Sequence, residues 1–104
     1  MDHKKPSVLL RIGCKQVSHL TDRTFFSRDG KIQSACAVGM MVVASTGSVD
    51  ADVCFGAEPK LTRWLNTLYC PYTERPLADY IVERNDTHKL SPEQIANNLE
   101  NMGF

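Results

Sequence analysis

The sequence predicts a mostly α-helical fold, a compact bundle of about five short helices with a small β-hairpin at residues 25–32. Leu61, Trp64, Leu65 and Leu68 repeat at the i, i+3, i+4, i+7 spacing that puts four apolar side chains on one helix face. Ser91, Pro92 and Gln94 supply an N-cap, a proline at the first helical position and the return half of a capping box. Between Ser34 and Gly47 lies an apolar run that a cap residue can open and a left-handed glycine can close.

Composition sets the bounds. At 104 residues, 42% hydrophobic and 23% charged, the chain has the size and make-up of a single small helical domain spanning 1–104. Its 12 basic and 12 acidic side chains cancel, so no overall field draws in a polyanion, and generic nucleic-acid binding is not expected. The one basic cluster, His3-Lys4-Lys5, reads as a solvated terminal arm. The longest apolar stretch, Ala35 to Ala44, is about half of the ~20 residues that span a bilayer, so no membrane role is expected. The apolar stretch near the start is too short for a signal peptide, which makes the cytoplasm the expected location. Cys14, Cys36, Cys54 and Cys70 are widely spaced without a Cys-x-x-Cys pair, so free thiols are expected, with no zinc ribbon and no redox dithiol.

Each element has its own reason. The first helix is expected to start at Ser7 and to carry Leu9, Ile12, Gln16 and Leu20 on one side, with Gly13 in its middle marking a close helix crossing or a break. Asp29-Gly30 between Phe25-Phe26 and Ile32 is the short hairpin signal, because a type I′ turn needs positive φ. The segment from Ala35 to Ala44 is apolar on every face and belongs in the centre. Residues 48–57 suit either a short strand or a packed loop. The Trp64 helix opens with Pro59 in its first turn and stops before Pro71. Pro76 opens a short helix carrying Leu77, Tyr80 and Ile81, which fades through Arg84-Asn85-Asp86-Thr87 into a polar turn. The last helix carries Ile95, Leu99 and Met102, with Leu90 and Ile95 as a staple and Gly103-Phe104 as a Schellman ending.

Two motifs occur together: Asp29-Gly30-Lys31 leading to Cys36-Ala37-Val38-Gly39, and Ile81-Val82-Glu83-Arg84-Asn85-Asp86 leading to Ser91-Pro92-Glu93-Gln94-Ile95. In these the chain resembles an uncharacterised family of small bacterial and phage proteins, a domain of unknown function with a Cys-Ala-x-Gly helix and a downstream Asn-Asp turn. It departs from that pattern at Arg84, where an aromatic residue is usual, and at Met40, where a small one is common. The resemblance implies a fold and a bacterial or phage setting, and no activity.

Function is weighed residue by residue. Cys36, near a helix N-terminus, could form a Cys-His-Asx hydrolase with His88 as base and Asp86 or Asn85 as orienter, but a buried structural thiol explains it as well. Arg84, Asn85, Asp86 and His88 form a polar turn that could contact a ligand or partner, and the local reading is an Asx turn between helices. Trp64 is a core residue or a stacking and interface residue. His3, His19 and His88 are not spaced as ligands, so no metal is expected, and without a phosphate loop no cofactor. The leading expectation is a small non-enzymatic binding protein of phage type, which occupies a partner protein of the host or sequesters a small ligand without chemistry. A phage setting would allow sequestration of a nucleotide immune signal, that is, counter-defence, in the cytoplasm of a bacterial host. The rivals are the cysteine hydrolase and a structural or assembly subunit that forms a homo-oligomer.

Overall fold

The computed structural model describes residues 4–104, so His3 and the start of the basic arm lie outside the described residues. Five helices and a small three-stranded sheet follow in the order α1 (Pro6–Gly13), β1 (Ser18–His19), β2 (Phe25–Arg28), β3 (Lys31–Ala35), α2 (Ala37–Thr46), α3 (Ala51–Leu65), α4 (Leu77–Asp86) and α5 (Pro92–Asn101). The mostly helical fold with a small β part is therefore what the patterning predicts.

The centre is α2. Met40, Met41, Val42 and Val43 are at most 1% exposed, as an all-apolar helix requires. α1, α3 and α4 pack around it, and α5 covers the far side of α1. Its end is the expected one, with Gly47 at φ 68°. Its start is not: Cys36, not Ser34, holds the N-cap position, because Ser34 and Ala35 are still in β3.

The hairpin forms at the expected place. Asp29 and Gly30 both take positive φ, 54° and 75°, which joins β2 to β3 in the twisted sense that strands prefer. Beyond the hairpin, β1 pairs parallel to β3 on its other edge, with Ser18 opposite Ser34 and His19 opposite Ala35. That strand replaces the second half of the expected first helix. The helix stops at Gly13, where a Cβ would stand 2.0 Å from the Met40 carbonyl oxygen, so α1 crosses α2 at backbone contact and residues 14–19 turn away into the sheet. Ser7 does not cap this helix either: it is buried, and its N–H and hydroxyl both donate to the Phe104 carbonyl, at 3.1 and 3.0 Å.

Residues 48–57 are neither strand nor loop beyond Asp50. Val49 accepts from the Ile32 N–H and Asp50 bridges Lys31, and then the Asp50 carboxylate caps α3 by accepting from Val53. Pro59 consequently sits inside the helix and not in its first turn, and the Phe55 carbonyl loses its usual i+4 donor. Likewise Arg84-Asn85-Asp86 is not a turn but the last turn of α4. α5 matches expectation at both caps: the Ser91–Gln94 capping box is reciprocal, and Phe104 and Gly103 donate to Leu99 and Glu100 as a Schellman motif does, with Met102 at the C-cap position.

Candidate functional site

Asn85 is 1% exposed on the inner face of α4, and all its hydrogen-bonding capacity is used. Its Oδ1 accepts from the Ala37 N–H at 3.0 Å and lies 2.7 Å from His19 Nε2. Its Nδ2 donates to the Leu20 carbonyl at 3.0 Å and to Asp86 Oδ1 at 2.6 Å. The backbone partners on both sides fix which end of the amide is oxygen, so His19 Nε2 must carry the proton and donate. In the neutral ring Nδ1 is therefore the lone-pair nitrogen, and it makes no hydrogen bond among the described residues.

His19 also lines a groove of about 670 Å³ formed with Cys14, Lys15, Gln33 and Glu93, over Met40. The walls are the chain from α1 to β1 and the start of α5. Cys14 is half-buried and donates to the Arg11 carbonyl at 3.2 Å, and burial pushes its thiol up, helped by the Glu93 carboxylate. The groove thus offers an imidazole nitrogen, a carboxylate, an ammonium and an amide within one concave surface, the mixture that orients a small polar ligand.

Cys36 stands beside this node without joining it. The residue is 7% exposed, and its sulfur accepts from the Gly39 N–H at 3.4 Å as the cap of α2. Burial pushes its pKa up, and the N–H groups of Gly39 and Val38 offset only part of that, while nearby Asp86 adds to it. The Ala37 N–H, which an oxyanion would need, already serves Asn85. His88 lies elsewhere, half-exposed past the end of α4, with Nε2 3.3 Å from Glu83 Oε1. So Cys36, Asn85 and Asp86 come together, but the histidine among them is His19 and not His88.

Glu83 gathers a second cluster on the outer face of α4. Arg84 Nη1 and His88 Nε2 approach Oε1 at 3.3 Å each, and Arg75 Nη1 approaches Oε2 at 3.5 Å. Arg84 also lies over the Tyr80 ring, 4.8 Å from its centroid. Thus the polar run expected to form one surface is divided: Arg84 and His88 face outward, whereas Asn85 is buried and Asp86 is tied to it. Trp64 is partly buried against the core. Cys70 is buried and donates to Met102 Sδ at 3.5 Å; burial pushes its thiol up, but the Thr73 hydroxyl, the N–H groups of Tyr72 and Thr73 and the Arg84 cation bring it below the usual value.

Cys14, Lys15 and His19 were not legible as site residues, because residues 14–20 follow a helical template that hides the strand, and Gln33, Arg75, Glu83 and Glu93 join their clusters only through tertiary packing. Gly13 was the available signal. Comparison with protein-family models, with curated proteins and with solved structures finds no match to this chain.

Proposed function

We propose that this chain is a non-enzymatic binding protein that sequesters a small polar ligand in the groove lined by His19. The observation that carries this reading is the Asn85 node: a buried amide with four satisfied hydrogen bonds holds one ring nitrogen of His19, and His19 itself lines the groove. Such a support pre-orients a contact residue and lowers the cost of binding. The hydrolase reading draws no comparable support, since the Cys36 thiol is buried, raised in pKa and engaged as a helix cap. The resemblance to small bacterial and phage proteins makes nucleotide signals of bacterial immunity the first ligands to try.

The test is native mass spectrometry of the purified protein, for small molecules that co-purify, followed by calorimetric titration with a panel of cyclic and linear nucleotides. A ligand held by the wild type and lost on His19→Ala, with the fold intact by circular dichroism, is the expected result. No co-purifying molecule and no heat with any of the panel would remove the basis for the proposal. In parallel, Cys36 is expected to resist iodoacetamide at neutral pH while Cys14 is labelled; rapid labelling of Cys36 would revive the hydrolase.

A further inference from the structure

Three basic side chains meeting on one carboxylate is an arrangement that exceeds what the carboxylate can neutralise. Arg75, Arg84 and His88 reach Glu83 from three places: the connection before α4, the helix itself and the segment after it. Two of these groups are permanent cations against a single negative charge, and His88 adds a ring N–H donor beside them. None of the three forms another ion pair among the described residues, so Asp79 and Glu74 do not complete the balance. Asp86 is turned inward, accepting from buried Asn85. Arg84 is held in place by its position over Tyr80 and is only 26% exposed, so part of the site is organised before anything binds.

From this geometry we infer that Glu83 occupies the place of an anionic ligand, and that Arg75, Arg84 and His88 form a binding site for a phosphate group. The match is one of charge and donor number. A phosphate dianion supplies twice the charge of Glu83 and enough oxygens for three donors from three directions, whereas the carboxylate must share Oε1 between Arg84 and His88. Binding displaces the Glu83 side chain, which is 39% exposed and free to swing toward solvent. No bond is made or broken. The site is separate from the His19 groove in its residues, so it stands whether or not the groove holds a ligand.

The experiment titrates inorganic phosphate into the full chain at constant ionic strength, following the arginine Nε–Hε and His88 ring resonances by NMR, with acetate and chloride as controls. Wild type is expected to show saturable shifts with phosphate and none with chloride. Glu83→Gln removes the competing charge and keeps the shape, and is expected to bind phosphate about fivefold more tightly, the equivalent of an exposed contact charge. Arg84→Gln is expected to abolish saturation. Absence of saturable shifts in both wild type and Glu83→Gln overturns the site, as does an affinity unchanged by Glu83→Gln. Shifts of equal size with acetate or chloride overturn phosphate as the ligand. Should Glu83→Gln fail to fold, Arg75→Gln, on a 64% exposed side chain, replaces it: phosphate affinity must fall, and an unchanged value is equally decisive.

Discussion

Asn85 is the residue whose loss the fold should feel most directly. Asn85→Ala leaves the Ala37 N–H and the Leu20 carbonyl without their partners and opens a void beside α4, which is expected to cost about 2–4 kcal/mol in chemical denaturation. Asn85→Asp keeps the acceptor for Ala37 and His19 but turns a donor toward Leu20 and Asp86 into a negative charge, so it should be no better tolerated. A second expectation concerns alkali. Burial raises Cys36, Cys14 and Cys54 above the ordinary thiol value of 9.0. Below pH 9 both folded and unfolded chains keep these thiols protonated, and their contribution is intact. As pH rises past 9 the unfolded chain releases protons first, so stability falls until the folded thiols ionise. Denaturation midpoints measured from pH 8 to 10.5 should decline, and Cys36→Ser should flatten the decline; a slope unchanged by that substitution would count against a buried, protonated Cys36. Cys36 and Asn85 were both visible as distinctive residues in the sequence. The pairing of Asn85 with His19 was not, because His19 arrives from a strand that the local pattern concealed.

At the scale of elements, glycines separate helix crossings from mere tolerance. Gly13→Ala forces a methyl group into the Met40 carbonyl, and Gly39→Ala would set one 2.4 Å from the Thr24 carbonyl. Neither obstacle is a side chain that can swing aside, so each should destabilise by at least about 1–3 kcal/mol. Gly56, in the interior of α3 with nothing within 4 Å of a Cβ, should behave oppositely, gaining up to about 1 kcal/mol as Ala. Thermal melts of Gly13→Ala and Gly56→Ala side by side check both signs. The same elements show what local sequence can specify. The hairpin, the end of α2 and both ends of α5 were legible because their caps and turns are written within a few residues. The start of α3 is hidden locally because Pro59 suggests a first turn, whereas Asp50 caps the helix two turns earlier. The end of α1 is hidden locally because Gln16 and Leu20 continue a helical stripe that Gly13 interrupts for a tertiary reason.

Taken whole, the molecule has no formal net charge at neutral pH, with its three histidines counted as neutral. Its solubility is therefore expected to pass through a minimum near pH 7 and to recover about two units to either side, measured as the concentration remaining after precipitation. One consequence reaches back to synthesis. α1, which precedes the other four helices along the described chain, is buried between α2 and α5, and Ser7 completes its hydrogen bonds on Phe104. A nascent chain that has emerged only as far as α4 therefore carries Leu9 and Leu10 on a helix covered by α2 on one side but not yet by α5 on the other. Full burial of α1 must wait for α5, and chains cut short between α4 and α5 would present that greasy helix to chaperones and proteases. For this fold, the emergence of α5 and the burial of α1 are a single event.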